Sequence, residues 1–285
     1  MERNLDNFKG ADILFRTYNF GELMGSVTKT ELTEKQKATL NDLLFGKIKL
    51  TEKQAQERDK LVAKRDAEPT LNQGAKTLVE NIFREVVRGT YKQGFSNKYT
   101  EKGNSNCENT AIDRIAKVNG WGSFLNANKL GIELKDHIGV GHPDAIKTNI
   151  RIGFDAKSSF TDETFPLFQN ELKETNYIWQ SKRLAMMANF DKWYTCYSLE
   201  NTPEHLVIKH AWELWRKSGN DGELTDSFLD DVRGLHTFDH LADWERVKTF
   251  EVKLTNEDVK LIEKRAQMAR NYFDELVEQY KTMKK

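Results

Sequence analysis

Cysteine and proline are scarce in this sequence, and long apolar runs are absent from it. The 285 residues include two cysteines, Cys107 and Cys196, and four prolines. Two cysteines cannot form a disulfide framework, and they cannot supply a four-cysteine iron–sulphur or zinc site. No apolar run approaches the length of a membrane span, and the charged start M-E-R-N-L-D has no signal-peptide features. We therefore expect a cytoplasmic protein with no membrane partner.

An excess of either charge is also missing. The chain has 44 basic and 44 acidic residues, so its net charge neither favours nor excludes nucleic acid, and any basic surface must be local. The high share of charged residues and the few prolines favour a helix-rich protein. The length suits one large domain, and we predict a single domain over residues 1–285.

The most informative stretch is H-P-D-A-I-K-T-N-I-R-I-G-F-D-A-K, at His142–Lys157. After a tight turn, residues 150–157 alternate between apolar and other side chains, which predicts a strand. Asp155 and Lys157 then share one face of that strand, and a hairpin would bring Asp144 back beside them. Two carboxylates and a lysine at a strand end can hold a divalent cation and activate a water molecule.

The pentapeptide L-T-E-K-Q occurs twice, at Leu32–Gln36 and at Leu50–Gln54. In each copy a threonine precedes a glutamine by three residues, which is the pattern of a capping box at a helix start. The first helix should end at Gly46 and the second before Pro69. We predict an inserted, charged helical hairpin over residues 28–68. The alternative is an arm that binds a partner or grips DNA.

Basic and aromatic residues alternate in T-Y-K-Q-G-F-S-N-K-Y-T-E-K, residues 90–102. Amines can pair with phosphates, and aromatic rings can stack on bases. The candidate DNA contacts in this segment are Lys92, Lys98, Tyr99 and Lys102. The alternative is a loop whose aromatic side chains fold inward.

Two further segments have helical spacing and carry polar residues of interest. Cys107–Val118 places Glu108 in its first turn, where a carboxylate complements the helix dipole and could also supply a third metal ligand. Leu172–Ala188 is a second predicted helix. The candidate DNA contacts outside residues 90–102 are Ser158, Ser159, Lys182 and Arg183.

Apolar periodicity predicts the remaining elements. A helix is predicted at 77–87 with the stripe Leu78, Ile82 and Val86, and two more within 211–245. The predicted strands are 129–134, 137–141, 193–199, 206–209 and 250–254. Thr255 should cap a long helix over 255–285 that docks on the domain.

Several common sites are absent or weakly supported. His236, His240 and Asp243 have zinc-like spacing, but no glutamate follows His236, so the H-E-x-x-H signature is missing and the histidines are read as incidental. The sequence has no G-x-x-x-x-G-K-[ST] loop for ATP and no G-x-S-x-G elbow around Ser158 or Ser159.

The ordered residues resemble the PD-(D/E)XK nuclease superfamily, and more narrowly the phage lambda-type exonucleases, also called YqaJ-type viral recombinases. The matching pieces are Glu108 in a helix, G-H-P-D at Gly141–Asp144, F-D-A-K at Phe154–Lys157 and Y-x-x-Q at Tyr177–Gln180. The similarity covers roughly residues 75–210, which we take as the catalytic core.

This resemblance implies a restriction-endonuclease-like core of the α/β (α+β) class. Its mixed β-sheet would be flanked by helices, with the helical hairpin and the long C-terminal helix added. Asp144, Asp155 and the carbonyl of Ala156 would bind Mg²⁺, for which Mn²⁺ could substitute. Glu108 would complete the metal site, directly or through water.

The resemblance also implies roles for two other residues and an activity. Lys157 would orient or deprotonate the attacking water, and Gln180 would fix the active-site side chains or the scissile phosphate. The implied activity is Mg²⁺-dependent phosphodiester hydrolysis by an exonuclease at double-stranded DNA ends, in phage recombination or replication in the host cytoplasm. A single-strand annealing partner and a homo-oligomer would fit it. The alternatives are a structure-selective or restriction-type endonuclease, and a non-catalytic DNA-binding module on the same scaffold.

Overall fold

Seven strands and ten α-helices make up the parts of the chain that the computed structural model describes, namely residues 4–25, 32–46, 49–66, 70–90, 97–105 and 107–283. The strands are β1 (Phe15–Arg16), β2 (Leu134–Lys135), β3 (Gly139–Gly141), β4 (Ala145–Lys147), β5 (Ile152–Ser158), β6 (Lys192–Ser198) and β7 (Val247–Lys253). The helices are α1 (Phe20–Leu23), α2 (Glu34–Asn41), α3 (Glu52–Asp66), α4 (Gln73–Val86), α5 (Lys98–Asn104), α6 (Cys107–Val118), α7 (Thr175–Ala188), α8 (Glu204–Lys217), α9 (Asp226–Gly234) and α10 (Asn256–Met283).

The strands form two mixed sheets. The larger has the order β4-β5-β6-β7, in which β5 runs antiparallel to β4 and parallel to β6, and β7 runs antiparallel to β6. The smaller has the order β1-β3-β2, with β1 parallel and β2 antiparallel to β3. Mixed sheets with helices packed against them confirm the predicted fold class.

Strand β5 is buried on both faces, and this decides where its charged side chains lie. Phe154 packs with Ile112 and Ile115 of α6 on one face. On the other face Gly153 lies against the ring of Trp193, so close that a Cβ atom there would sit 2.1 Å from the ring. Trp193 in turn packs under α7. The face that carries Asp155 is therefore covered by a helix rather than open to water.

The predicted helical hairpin corresponds to α2 and α3. Thr33 and Gln36 form the expected capping box at the start of α2, and Thr51 and Gln54 exchange the same kind of hydrogen bonds at the start of α3. A π-helical turn, Asp42–Gly46, extends α2. The two helices enclose a small apolar cluster of their own, formed by Leu32, Leu40, Leu43 and Leu61 with Leu50 and Val62.

The largest apolar core lies between α10, α4 and the N-terminal segment. Thr255 caps α10 as predicted, accepting a hydrogen bond from the backbone N–H of Asp258. The buried side chains of α10 include Ile262, Ala269 and Phe273, which confirms that the long helix docks on the domain. In the described chain, no helix is both long and apolar enough to cross a membrane.

Some predicted elements are wrong in type or extent. Residues 206–209 were expected as a strand, but they belong to α8, because a short apolar run reads alike in a buried strand and in a buried helical turn. Strand β5 begins at Ile152 rather than Ile150, because Arg151 adopts a left-handed conformation with φ of 53° and ends the preceding turn. Val86 is 42% exposed, and Val87 takes the inward position instead.

Candidate active site

The β4–β5 hairpin brings Asp144 against Asp155, as the sequence predicted. Asp144 immediately precedes β4, whose first residue pairs with Phe154 of β5. The backbone N–H of Ala156 donates a 2.8 Å hydrogen bond to Asp144 Oδ2. The backbone of Asp144 in turn partly offsets the raised pKa of Asp155. These contacts place the two aspartates side by side.

Burial and mutual repulsion make both carboxylates hard to ionise. Asp155 is 1% exposed, and burial is the main reason that its pKa is raised. Burial also raises the pKa of Asp144, to about 7, and the Asp155 charge and, more weakly, Glu108 add to that rise. Lys157 and the Ala156 N–H oppose it. Two neighbouring carboxylates of raised pKa, of which Asp155 is buried and Asp144 is half-buried, form a site that favours a compensating positive charge.

Lys157 supplies one positive charge at this site. Burial lowers the pKa of Lys157, but the carboxylates of Asp155 and Asp144 outweigh it and the pKa is raised overall. The Lys157 amine lies 4.9 Å from the ring centroid of Tyr177 on α7. Tyr177 packs edge-on against Tyr197, the residue that pairs with Lys157 on β6. The amine is thus held as an ammonium group between carboxylates and an aromatic ring.

Glu108 and Gln180 lie on the two helices that pack against the larger sheet, α6 and α7. Glu108 lies in the first turn of α6, and its charge acts on both Asp144 and Lys157. Gln180 lies on α7, three residues after Tyr177 and therefore on the same side of the helix. The next residue, Ser181, shares a 2.8 Å hydrogen bond with Thr195, which fixes α7 over β6.

The residues at this site fit a divalent cation. Asp155 Oδ1 is buried and has no hydrogen-bond partner, and an oxygen of this kind is costly unless a cation or water satisfies it. Carboxylate and carbonyl oxygens are hard ligands that suit Mg²⁺ or Mn²⁺. Within the described ranges no group of three His, Cys, Asp or Glu side chains is arranged to hold a metal ion.

Three predicted DNA contacts are buried, and that part of the prediction is wrong. Lys102 is 0% exposed, and its amine donates to the carbonyl of Ser159 at 2.6 Å. Arg183 is also 0% exposed and pairs with Asp136. Ser159 is 5% exposed and its hydroxyl donates to the Thr164 carbonyl. These side chains stabilise the loop after β5 and the packing of α7, and they cannot reach a phosphate.

The remaining DNA candidates have more varied positions. Tyr99 is 52% exposed at the surface of α5. Lys98 pairs with Glu213 at 2.5 Å, and Lys182 pairs with Asp258 at 2.6 Å. Ser158 ends β5 and is half-buried. Lys92 lies outside the described residues. Their contacts with DNA stay a prediction.

The histidines with zinc-like spacing in the sequence do not form a metal site in the described structure. His236 is 1% exposed, and its Nε2 lies 2.9 Å from Nδ1 of His210. Its Nδ1 faces the Thr202 hydroxyl at 3.0 Å. Burial, the dominant cause, lowers the pKa of His236 to about 4. His236 follows the end of α9, so the helical spacing with His240 does not exist.

Sequence reasoning missed one residue beside the site, Tyr177. The resemblance implies a role for the glutamine of the Y-x-x-Q motif, and the spacing of three on a helix already places the tyrosine on the same side. Its contact with Lys157 joins residues 20 positions apart and required the tertiary structure.

The fold is shared with two solved exonuclease structures over nearly the whole chain. The crystal structure of a phage-related exonuclease from Haemophilus somnus 129PT matches with a TM-score of 0.64 and 18% sequence identity, covering 97% of this chain and 99% of that chain. The alkaline exonuclease LHK-Exo from Laribacter hongkongensis matches with a TM-score of 0.51 and 10% identity, covering 98% of this chain and 95% of that chain. No protein-family model matches the sequence. No curated protein matches it either.

Proposed function

We propose that this protein is a metal-dependent deoxyribonuclease that hydrolyses phosphodiester bonds. The observation that carries the proposal is the convergence of Asp144, Asp155 and Lys157, with a buried and unpartnered oxygen on Asp155. Phosphodiester hydrolysis needs a positioned water and neutralisation of the charge that builds up on the phosphate. An acidic pair beside a fixed ammonium group can supply both.

Asp144, Asp155 and the Ala156 carbonyl would hold Mg²⁺, with Mn²⁺ as a substitute and Glu108 as a further ligand, directly or through water. A bound divalent ion neutralises phosphate charge and lowers the pKa of a coordinated water. The two aspartates would bind the ion in their ionised form, and the ion would supply the partner that Asp155 Oδ1 lacks. The hydrogen bond from the Ala156 N–H keeps the Asp144 carboxylate oriented, which limits the reorganisation needed when substrate arrives.

Lys157 would donate hydrogen bonds to the attacking water or to a phosphate oxygen. As an ammonium group it stabilises negative charge and carries no free lone pair with which to accept a proton. Gln180 would orient the same water or the scissile phosphate through its amide. Lys98, Tyr99, Ser158 and Lys182 would contact the DNA backbone or bases around the site.

The substrate we propose is double-stranded DNA with free ends, degraded by an exonuclease during phage recombination or replication. The likeness to two exonuclease structures over almost the whole chain supports this choice. Such an enzyme would work in the host cytoplasm. Its single-stranded product suits an annealing protein as partner.

The test compares purified full-length protein on linear and covalently closed circular duplex DNA with Mg²⁺. We expect nucleotides to be released from the linear substrate, and Lys157→Ala and Asp155→Asn to lower the rate by about 10²-fold or more. Lys192→Ala is the matched control, because Lys192 lies on the neighbouring strand and pairs with Glu251 at 2.7 Å on the surface.

Each of three other results would support a different conclusion. Full activity of Lys157→Ala would remove that residue from the mechanism. Cleavage of closed circles would indicate an endonuclease. Wild-type protein that binds duplex DNA and hydrolyses none of it, with either Mg²⁺ or Mn²⁺, would indicate a non-catalytic DNA-binding module.

A further inference from the structure

A buried lysine of α5 lies where β5 leaves the larger sheet. Lys102 is 0% exposed, although lysine is among the residue types least often buried. Its amine donates hydrogen bonds to the backbone carbonyls of Ser159, at 2.6 Å, and Phe160, at 3.3 Å. These are the first two residues after β5, so one side chain fixes the direction that the chain takes there.

The surroundings of the Lys102 amine combine carbonyl oxygens with aromatic rings. The ring centroids of Phe160 and Phe238 lie 5.9 Å and 5.5 Å from the amine. The Phe160 carbonyl also accepts a hydrogen bond from the Thr202 hydroxyl, at 3.4 Å. Removing an amine from water is costly unless such dipoles and rings replace the lost hydration, so the side chain is held firmly in one place.

A run of short-range hydrogen bonds joins Lys102 to the first turn of α6. The Lys102 carbonyl accepts from the backbone N–H of Ser105, at 3.2 Å, and from the Ser105 hydroxyl, at 2.5 Å. The Ser105 carbonyl in turn accepts from the backbone N–H of Glu108, at 3.2 Å. Because the Lys102 side chain is anchored on the loop after β5, this run connects Glu108 to the strand that carries Asp155.

The placement of Glu108 matters because its carboxylate stands at the margin of the site. Its charge acts on Asp144 and on Lys157. In the described chain it does not join the two aspartates in a group of three carboxylates arranged for a metal ion. The aspartates are placed by the β4–β5 hairpin through its own backbone pairing. A shift of α6 would therefore change what Glu108 contributes and leave the aspartate pair in place.

We propose that Lys102 is a positioning residue that sets the distance of Glu108 from the cation site formed by the two aspartates. It ties the first turn of α6 to the end of β5. This role rests on the proposed function, in which Glu108 completes the divalent-ion site directly or through water. Without the Lys102 amine, the two carbonyls after β5 lose this donor, α5 separates from the loop, and Glu108 moves away from the aspartates. The protein then binds the cation more weakly.

The test measures the affinity for Mn²⁺ by isothermal titration calorimetry, with the full-length protein and without DNA. Lys102→Met keeps the length of the side chain and removes its amine, and it should weaken Mn²⁺ binding by about tenfold or more. Glu108→Gln should weaken Mn²⁺ binding to a similar extent. Because Lys102 acts through Glu108, the double variant should bind Mn²⁺ about as well as Glu108→Gln alone, since the two losses are coupled.

Arg270→Met is the matched control, because Arg270 is likewise a buried cation that donates to two backbone carbonyls. Its guanidinium group contacts the carbonyls of Ile13 and His137, next to the strands of the smaller sheet. Arg270→Met should lose stability in thermal melts, as Lys102→Met should, and bind Mn²⁺ as the wild type does. Ser105→Ala is a milder variant that removes one hydrogen bond from the run, and it should weaken Mn²⁺ binding by at least about twofold.

Several results would overturn the proposal. One is an affinity of Lys102→Met for Mn²⁺ equal to that of the wild type. Others are losses in Lys102→Met and Glu108→Gln that add fully in the double variant, or an equal loss in Arg270→Met. If Lys102→Met does not fold, unchanged affinity in Ser105→Ala overturns the proposal instead. A wild type that binds Mn²⁺ and hydrolyses no DNA would refute the proposed function alone, because the comparison of affinities requires no hydrolysis.

Discussion

The site residues are held by short-range contacts that leave little freedom. The Asp144 carboxylate accepts a hydrogen bond from the Ala156 N–H across the hairpin, and the Lys157 amine lies against the Tyr177 ring. Positioning of this kind matters because charge stabilisation falls quickly when donors shift by an ångström. Each contact can therefore be tested through a conservative and a disruptive change.

Substitutions of Tyr177 test how the Lys157 amine is positioned. Tyr177→Leu removes the ring beside Lys157 and should lower kcat by roughly 2- to 30-fold, the range of a single cation–π contact. Tyr177→Phe keeps the ring and should restore most of that rate. The measurement is single-turnover hydrolysis of linear duplex DNA. Equal losses in both variants would show that the hydroxyl, rather than the ring, is what matters.

Substitution of Asp144 tests the electrostatics of the site in the metal-free protein. Its folded pKa of about 7 exceeds the unfolded value of about 3.9, so folding is penalised once the unfolded carboxyl ionises. The penalty is absent below about pH 4, grows as the pH rises and is complete above about pH 7. In EDTA, Asp144→Asn should therefore gain stability relative to wild type between pH 4 and pH 8, by up to about 4 kcal/mol.

Urea melts at several pH values provide the measurement for Asp144. Asp162→Asn is the control, because Asp162 is an exposed aspartate in the loop after β5. A stability difference between Asp144→Asn and wild type that is the same at pH 4 and pH 8 would contradict the raised pKa.

At the scale of elements, features that depend on residues close together in the sequence were predicted correctly. Features that depend on tertiary packing were not. The caps at Thr33, Thr51 and Thr255 follow from residues three apart, and all three were found. The run at 206–209 was assigned the wrong type, because only the packing of Leu206 and Val207 decides between strand and helix.

An ion-pair network ties α6 to the end of β6. Glu200 is 3% exposed. Its carboxylate accepts hydrogen bonds from Arg114 Nε at 2.9 Å and from Ser198 Oγ at 2.6 Å. It also lies 3.6 Å from the guanidinium group of Arg246. Glu200→Gln would remove the carboxylate charge that Arg114 and Arg246 share, leaving Arg114 with Asp243 and Arg246 with Asp239. It should reduce the free energy of unfolding by roughly 1.5–3 kcal/mol, the range for hydrogen bonds to a charged group.

Thermal or urea unfolding measures the effect of Glu200→Gln. The control is Glu34→Gln, which breaks the exposed pair with Lys37 and should cost about 1 kcal/mol or less. Similar losses in the two variants would mean that the network at Glu200 contributes little.

At the scale of the whole molecule, the candidate site was predictable because its main residues lie close together in the sequence. Asp144 and Asp155 are separated by one hairpin, and the strand period places Lys157 beside them. Lys102 and Arg183 were misjudged because their partners are far along the chain, at Ser159 and Asp136. The groove between α5, the loop after β5 and α8 was not foreseen for the same reason, since its lining is assembled from segments between Tyr99 and Lys248.

Metal binding at the candidate site should stabilise the entire fold, because both aspartates belong to the hairpin that begins the larger sheet. A ligand that binds only the folded state adds about 2.7 kcal/mol at one hundred times its dissociation constant. We therefore expect Mg²⁺ or Mn²⁺ to raise the Tm at pH 8. The rise should vanish near pH 4, where protonated carboxyls no longer bind the cation.

Differential scanning calorimetry at the two pH values measures this shift, and Asp155→Asn should abolish it while Asp162→Asn preserves it. The same experiment separates binding from catalysis, since it needs no DNA. A Tm that rises equally in Asp155→Asn would place the cation elsewhere on the molecule. The buried and unpartnered Asp155 oxygen would then need another explanation, such as an ordered water.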